Sequence, residues 1–291
     1  MPEKKIFILG YLGYYNFGDD LLLNVLIKNL NYNNIVVLTK KNYYGLNAVN
    51  RYNIFQILKV LRAGDILINL GGIFQDSTSI KSFFYYFIIN VIFLLKKAKI
   101  FLINIDAVDI KYKINLSLLK YLLKKSRAAV FRDKESYNKF KNFQNAEYIP
   151  DLSLIEFAGK SIKKRKSYIL ISPINKKQIV SISGDEILLI NKEEYKRYNF
   201  DNVLVYNYSN INEVINKILS AKKIVSARYH IILIALQNNV PVKILSGYKK
   251  LEELKEKNKK NIDKKKKSLY NIKEIRRKWK KVFMKIEKEL A

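Results

Sequence analysis

The chain has 291 residues, no cysteine and a single histidine, and its 55 Lys+Arg against 25 Asp+Glu give a formal net charge of +30. The absence of cysteine excludes disulfide frameworks, cysteine metal sites and thiol catalysis, and it fits a reducing cytoplasm. With only His230, no multi-histidine metal site can form, and any imidazole acid–base chemistry must come from that residue. A hydrophobic content of 49% indicates a folded chain, and the length of 291 residues indicates two domains or one large α/β domain.

The positive charge has two interpretations. It fits an anionic partner such as nucleic acid, a membrane surface or a phosphorylated substrate. Because the excess is mostly lysine beside abundant isoleucine, asparagine and tyrosine, it also fits a compositional bias that fills permissive surface positions. The charge is most concentrated between Lys249 and Ala291.

The apolar runs predict alternating strands and helices along the first half of the chain. Continuous apolar strands are typical of parallel sheets that are covered on both faces. The run from Phe83 to Leu95 is too short to cross a bilayer, which favours a buried helix over an interfacial segment. The predicted strands are 5–9, 35–38, 66–70, 100–105, 128–131 and 148–149, and the predicted helices are 19–30, 54–62, 80–97, 114–125 and 134–143.

The pattern then restarts and predicts a second domain. Its predicted strands are 168–172, 203–206, 224–226 and 240–245, and its helices are 211–221 and 229–237. We therefore expect two Rossmann-like, doubly wound domains that face a cleft, followed by a basic helix. The predicted domains are residues 1–157, residues 158–248 and residues 249–291, the last being a basic amphipathic helical segment.

The turn after the first strand reads GYLGYYNFGDD over residues 10–20. Its glycines allow a tight turn and a close approach of a ligand to the backbone. The spacing does not match a dinucleotide fingerprint or a Walker loop, and the two aspartates would compete with a phosphate at the helix start. A neutral ligand rich in hydroxyl groups fits this turn better, and acidic capping of an ordinary helix is the alternative.

The turn after the strand at 66–70 reads GGIFQDSTS over residues 71–79. Gly71 and Gly72 let backbone N–H groups line a concavity. The amide of Gln75 and the carboxylate of Asp76 can contact vicinal hydroxyls. The serines and the threonine that follow can also be N-cap residues.

Two further strand ends carry cations. Arg132 follows the strand at 128–131 and could hold a carboxylate or a phosphate, and Asp133 beside it is expected to cap the next helix. The segment from Ser226 to His230 leaves a later strand and enters an apolar helix. Arg228 and His230 can share one site if Arg228 still lies in the turn. A structural role for the histidine is the alternative.

Taken in order, these segments resemble the polysaccharide pyruvyl transferase family, and most closely its CsaB-type members. The resemblance rests on GYxGxxNxGD near the start, GGxxQDxTS, RDxxS, PDL at 150–152 and SxRxH followed by VPV at 240–242. It spans about residues 7–248 and implies a two-domain fold like that of GT-B glycosyltransferases, with the acceptor side in residues 1–157 and the donor side in residues 158–248. One segment departs from the family, since residues 104–108 read NIDAV where many members carry a QGIGP-like sequence.

The resemblance implies a transferase that moves the pyruvyl group of phosphoenolpyruvate onto two hydroxyls of a sugar in a surface polysaccharide or its lipid-linked precursor, forming a ketal. It requires no metal and no cofactor besides phosphoenolpyruvate as co-substrate. The implied catalytic residues are His230 as general acid/base, Arg228 and Asp76. Donor binding is assigned to Arg132, Arg228 and Ser226, and acceptor binding to Gly13, Asn16, Gly18, Asp19, Gly71, Gly72, Gln75 and Asp76.

Two other classes of function are open at this point. A GT-B glycosyltransferase that uses a nucleotide sugar would share the fold. A basic nucleic-acid-binding protein would explain the charge, but the sequence has no recognition module, and we expect no nucleic acid partner. The sequence does not specify the oligomeric state.

The C-terminal segment predicts an amphipathic helix. Apolar residues recur every three or four positions between residues 269 and 290, and basic residues surround this stripe. The stripe can dock onto the protein. Alternatively, Trp279 and Phe283 can enter an anionic leaflet, which would place a cytoplasmic enzyme at the inner face of the membrane.

Overall fold

The computed structural model describes residues 3–42, 45–77, 79–108, 110–157, 165–173, 185–195, 202–245, 251, 254, 256 and 269–290. The predicted boundary at 157–158 is followed by residues 158–164, which lie outside these residues, as does the predicted boundary at 248–249. By contact density the chain divides into two compact units. Unit 1 contains residues 1–14, 22–152 and 275–291, and unit 2 contains residues 15–21 and 153–274.

Unit 1 is built on a seven-stranded parallel sheet in the order β3-β2-β1-β4-β5-β6-β7. The central strands β1 and β4 are entirely buried and, apart from Asn69, consist of aliphatic and aromatic residues. The strands are β1 (Ile6–Leu9), β2 (Ile35–Thr39), β3 (Ala48–Asn50), β4 (Ile66–Leu70), β5 (Lys99–Ile105), β6 (Ala128–Phe131) and β7 (Ala146–Tyr148).

Three of the helices that follow these strands begin at polar side-chain caps. Asn53, Ser79 and Asp133 each accept a hydrogen bond from a backbone N–H in the first turn of the helix that follows. The helices are α1 (Phe17–Asn29), α2 (Ile54–Val60), α3 (Ile80–Leu95), α4 (Lys113–Lys125) and α5 (Lys134–Phe140). The first turn of α1 groups with unit 2 and the remainder with unit 1.

Unit 2 contains a five-stranded parallel sheet in the order β10-β9-β8-β11-β12. Its strands are β8 (Ile169–Ser172), β9 (Glu186–Asn191), β10 (Val203–Tyr206), β11 (Lys223–Ser226) and β12 (Val242–Ile244). Its helices are α6 (Leu154–Phe157), α7 (Lys192–Tyr195), α8 (Ile211–Ser220) and α9 (Tyr229–Gln237), with a 3₁₀ turn at Tyr208–Asn210.

The expectation of an α/β protein with two Rossmann-like domains is confirmed. In each sheet the strand order reverses once, between β1 and β4 in unit 1 and between β8 and β11 in unit 2. The sequence patterns missed β3, β9, α6 and α7. Strand β9 lies between β8 and β10, so its absence left the second predicted sheet without an interior strand.

The final helix, α10 (Ile272–Lys288), packs within unit 1. Its apolar stripe is buried, and the indole Nε1 of Trp279 donates a hydrogen bond of 3.0 Å to the carbonyl oxygen of Pro150. Trp279 and Phe283 are 0% and 5% exposed, which agrees with the docked alternative and not with insertion of these two side chains into a leaflet. Among the described residues, no helix is both long and apolar enough to cross a membrane.

Docking of α10 can be tested by truncating its anchor. Trp279→Ala removes the largest fully buried side chain, and we expect it to lower the free energy of unfolding by about 3–5 kcal/mol. Met284→Ala is the matched control, because Met284 lies on the same helix and is 58% exposed. Urea unfolding at neutral pH measures both variants, and equal stability of the two would contradict the docked helix.

Candidate functional site

The points where the strand order reverses are the expected ligand sites of such sheets. In unit 1 the turns after β1 and β4 flank this point, and in unit 2 the turns after β8 and β11 do so. The residues singled out from the sequence lie at these turns or next to them.

A buried polar network joins the ends of β4, β5 and β6 in unit 1. The Arg132 guanidinium forms an ion pair with Asp106, whose other carboxylate oxygen accepts a hydrogen bond from the amide of Gln75. Arg132 and Asp106 are both buried. A buried charge of this kind is tolerated only when it is paired, so these residues fix one another in place.

The network extends to the turn after β7. Nη1 of Arg132 lies 3.7 Å from Oδ2 of Asp151, which accepts a hydrogen bond of 3.1 Å from the amide of Asn104. Asn104 also accepts a hydrogen bond of 2.8 Å from the backbone N–H of Leu152, and its φ is +58°. The atypical segment 104–108 therefore supplies two members of the network.

Gly72 is required by this packing. A Cβ built on Gly72 would lie 2.7 Å from Oδ2 of Asp106 and 2.9 Å from both Nη2 of Arg132 and Nε2 of Gln75. Real Cβ atoms do not approach side chains this closely, so only glycine fits without moving the network. Gly71 beside it has a φ of +83°, a backbone conformation that glycine adopts readily.

Asp76 has a structural explanation. It is buried and accepts hydrogen bonds from the backbone N–H groups of Lys111 and Tyr112 and from the amide of Asn115, at 2.7–3.1 Å. Burial raises the pKa of Asp76, but these hydrogen bonds lower it more, so the net shift is downward. Through these hydrogen bonds Asp76 anchors the start of α4. A carboxylate with a lowered pKa is a weaker base, so the shift does not favour the predicted role of Asp76 as a base.

Arg228 lies in the turn after β11, as expected. Its Nε donates a hydrogen bond of 2.9 Å to the carbonyl oxygen of Pro173, at the end of β8, and its Nη2 contacts both carboxylate oxygens of Glu194 at 2.7–2.8 Å. Ser226 is buried and bonds the carbonyl of Ser172, while accepting from the N–H of Arg228. Arg228 thus spans the reversal point of the second sheet, and Ser226 shapes the turn.

His230 lies in the first turn of α9 and is partly exposed. The start of α1, which belongs to the same unit, meets its imidazole: a Cβ on Gly18 would overlap the ring and lie 2.8 Å from Cε1. Asn16 caps this start by accepting the Gly18 N–H at 3.1 Å. Gly18, which was predicted to bind acceptor, therefore packs against the His230 ring, and Asn16, predicted likewise, holds the backbone of Gly18.

The next residues of α1 are tied to unit 2 as well. Asp20 is fully buried and accepts a hydrogen bond of 2.9 Å from the hydroxyl of Tyr206. Burial and the charge of Asp20 raise the pKa of Tyr208. Asp19 is partly exposed. Gly13 belongs to unit 1, where its φ of +88° lets it lie against the backbone of Lys41.

The structure thus separates the predicted site residues into two groups. Arg132, Gln75 and the two glycines at 71 and 72 share the unit 1 network, while Arg228, Ser226, His230, Gly18 and Asn16 lie in unit 2. The sequence reasoning did not select Asp106 or Glu194, the carboxylates that pair with the two arginines. The position of Asp106 directly after β5 is the signal that could have identified it.

The chain is a two-domain α/β protein, and its candidate site residues lie at the carboxyl ends of parallel strands. The family model described as polysaccharide pyruvyl transferase matches residues 16–247. The chain therefore belongs to the polysaccharide pyruvyl transferase family, and the resemblance inferred from the motifs is confirmed. No curated protein matches the sequence significantly.

Solved structures show the same fold at low sequence identity. The co-structure of S. aureus MnaA with UDP is 11% identical, with a TM-score of 0.56 over 88% of this chain and 82% of that chain. The UDP-N-acetylglucosamine 2-epimerase from Rickettsia bellii is 12% identical, with a TM-score of 0.51 over 87% and 82%. At this identity the likeness concerns the GT-B-like fold alone.

The hydrogen bonds of Asp76 should contribute to stability in a pH-dependent way. Asp76→Ala leaves three donors at the α4 start unsatisfied, so we expect a loss of about 1–3 kcal/mol in the free energy of unfolding at pH 7. Because the folded-state pKa is lowered, the wild type holds this stability above the unfolded pKa of about 3.9 and loses it as the pH falls through the folded pKa.

The difference between wild type and Asp76→Ala should accordingly shrink between pH 7 and pH 3. Denaturant unfolding at both pH values measures it, with the exposed Glu147→Ala as control. If Asp76→Ala is as stable as the wild type at pH 7, the structural role is contradicted and Asp76 is again a candidate for substrate binding.

Proposed function

We propose that the protein transfers the pyruvyl group of phosphoenolpyruvate to two hydroxyls of a sugar in a cell-surface polysaccharide or its lipid-linked precursor. Membership of the polysaccharide pyruvyl transferase family supports the class of reaction. The observation that carries the proposal is the position of the chain's one histidine, at a carboxyl strand end beside Arg228 and against Gly18.

The chemistry needs a proton donor, cations and a base. A proton goes to the methylene carbon of phosphoenolpyruvate, one sugar hydroxyl adds to the neighbouring carbon, and a second hydroxyl displaces phosphate to close the ketal. The first hydroxyl loses its proton in the addition, and the proton of the second leaves with phosphate. His230 is assigned as the group that delivers and accepts these protons, since it is the one imidazole of the chain and lies directly after the carboxyl end of β11.

We assign the donor's negative charges to Arg228. Its side chain is 23% exposed and its partner Glu194 is 21% exposed, so a phosphate or carboxylate can compete for the guanidinium. Arg132 is 6% exposed and paired with two carboxylates. We therefore assign Arg132 to positioning the Gly72–Gln75 turn rather than to direct contact with phosphoenolpyruvate.

The nucleotide-sugar alternative is testable by ligand binding. UDP is bound by the S. aureus MnaA neighbour, so UDP and UDP-sugars are the informative competitors. A thermal-shift comparison should show stabilisation by phosphoenolpyruvate and none by UDP-sugars. Release of phosphate from phosphoenolpyruvate in the presence of lipid-linked disaccharides tests the reaction itself, and stabilisation by UDP-sugars alone would favour a glycosyltransferase.

Replacing His230 tests the acid–base assignment. His230→Gln should lower the turnover number by about 10²-fold or more because no other imidazole is present to move the proton. Lys243→Gln, at an exposed position of β12, is the control and should leave turnover unchanged. The assay is phosphate release, with circular dichroism to establish folding, and turnover within a few-fold of wild type would remove His230 from the mechanism.

The pairing of Arg228 with Glu194 allows a test in both directions. Arg228→Lys should weaken phosphoenolpyruvate binding about tenfold because an ammonium cannot reproduce the planar fork. Glu194→Gln should strengthen it by up to about fivefold, since a partly exposed ion pair that competes with the donor is worth about 0.2–1 kcal/mol.

Isothermal titration calorimetry measures both constants, with the exposed Glu213→Gln as control. Unchanged donor affinity in Arg228→Lys together with a lower unfolding temperature in Glu194→Gln would make the ion pair purely structural.

The location and partners are also proposals. Phosphoenolpyruvate as donor and a chain without cysteine fit the cytoplasm. The exposed lysines of α10, Lys280, Lys281 and Lys285 among them, could still contact anionic headgroups without insertion of an apolar side chain.

A further inference from the structure

A cluster of tyrosines surrounds a buried arginine in unit 1, apart from the two groups already described. Arg51 directly follows β3 and is 2% exposed, and its Nη1 donates a hydrogen bond of 2.8 Å to the carbonyl oxygen of Gly10 at the end of β1. Within the described residues, Arg51 forms no ion pair with a carboxylate and its Nε has no hydrogen-bond partner. A buried cation without a counter-ion is costly.

Tyrosine rings take the place of a counter-ion. The guanidinium carbon of Arg51 lies 4.7 Å and 4.9 Å from the ring centroids of Tyr85 and Tyr86, both on α3, and 5.4 Å from that of Tyr52. These distances are typical of cation–π contacts. The hydroxyl of Tyr85 also donates to the carbonyl oxygen of Arg51 at 2.6 Å. Arg51 therefore holds the rings in fixed orientations.

The outer rings of the cluster face solvent. Tyr11 and Tyr14 stack at a centroid distance of 4.2 Å and an interplanar angle of 4°, and the hydroxyls of Tyr14 and Tyr52 are 2.5 Å apart. Tyr11 is 44% exposed and Tyr52 is 54% exposed. We refer to Tyr11, Tyr14 and Tyr52 as the tyrosine platform. Lys40 lies at its edge, with Nζ 5.1 Å from the centroid of the Tyr14 ring.

We propose that the tyrosine platform binds a sugar ring of the acceptor, with Lys40 beside the acceptor's phosphate. This assignment rests on the proposed transfer to a sugar. The C–H groups on one face of a pyranose are electropositive and complement the electron-rich face of an aromatic ring, while phenolic hydroxyls bond to sugar hydroxyls. Because Arg51 contacts the rings of Tyr14 and Tyr52, and Tyr11 stacks on Tyr14, binding costs little side-chain entropy.

The position of the platform agrees with this occupant. Its residues come from the turns after β1 and β3, at the carboxyl edge where ligands bind in parallel sheets. Burial and the hydrogen bond with Tyr52 raise the pKa of Tyr14 more than Arg51 lowers it, so the phenol stays protonated at neutral pH. The platform thus offers neutral rings and hydroxyls, which fit a saccharide better than a second phosphate site.

Saturation-transfer NMR on the full chain tests the proposal without donor. The probes are N,N′-diacetylchitobiose, its 1-phosphate and UDP. We expect saturation of the sugar ring protons, tighter binding of the phosphorylated probe at low salt, and affinity about 3- to 10-fold lower in Tyr11→Ala and in Tyr52→Ala. Tyr11→Phe keeps the ring and should keep most of the affinity. Tyr121→Ala is the matched control, because Tyr121 lies in the same unit and is also 44% exposed.

The outcomes separate this proposal from the proposed function. Sugar binding that depends on Tyr11 and Tyr52 supports the platform, even if no phosphate is released from phosphoenolpyruvate. The proposal is overturned if none of the saccharides binds the wild type, if the alanine variants bind as well as Tyr121→Ala, or if UDP alone gives signals. Phosphate release with an unchanged acceptor KM in folded Tyr11→Ala and Tyr52→Ala would also overturn it, while leaving the transferase assignment intact.

Discussion

The pairing of Arg132 with Asp106 is the interaction on which the first unit's strand-end turns depend. Parallel strands deliver every following turn to one edge of the sheet, where backbone and side-chain polar groups accumulate away from water. A cation buried there must be neutralised, and the carboxylate after β5 does so while also accepting the amide of Gln75. Removing either charge would leave the other buried and unpaired. The positions of the turns after β4, β5 and β6 are therefore coupled through one ion pair.

Close approach of backbone to side chain is the second constraint, and it explains why two glycines matter more than the rest. Gly72 makes room for the ion pair and Gly18 makes room for the imidazole of His230. Neither has a left-handed backbone, so the requirement at these positions is space rather than conformation. Gly71 differs, because its φ of +83° is itself the requirement. A motif that contains glycines at these positions thus encodes both packing and backbone geometry.

The sequence predicted the alternation of strands and helices because buried parallel strands are continuous apolar runs. It missed β3, a three-residue edge strand, and β9, whose apolar residues lie between polar and basic segments. At the site, Arg132, Arg228 and His230 were selected because they follow predicted strands closely, at the sheet edge where ligands bind. Asp106, Glu194 and Arg51 were missed because their importance comes from partners distant in sequence, at separations of 26 and 34 residues for the two ion pairs. Local patterns do not report such pairings.

The three arginines differ in solvent exposure, and this difference decides which of them can bind a substrate. Arg132 and Arg51 are buried and in contact with fixed partners, carboxylates for Arg132 and aromatic rings for Arg51, so their charges stabilise the positions of neighbouring turns. Arg228 is partly exposed and shares a carboxylate that solvent also reaches, so its pairing energy is small enough for an anionic substrate to exceed. A buried arginine therefore has a structural role here, whereas the partly exposed arginine is able to bind a ligand. The low dielectric that makes a buried pair permanent would also prevent it from exchanging partners during a catalytic cycle.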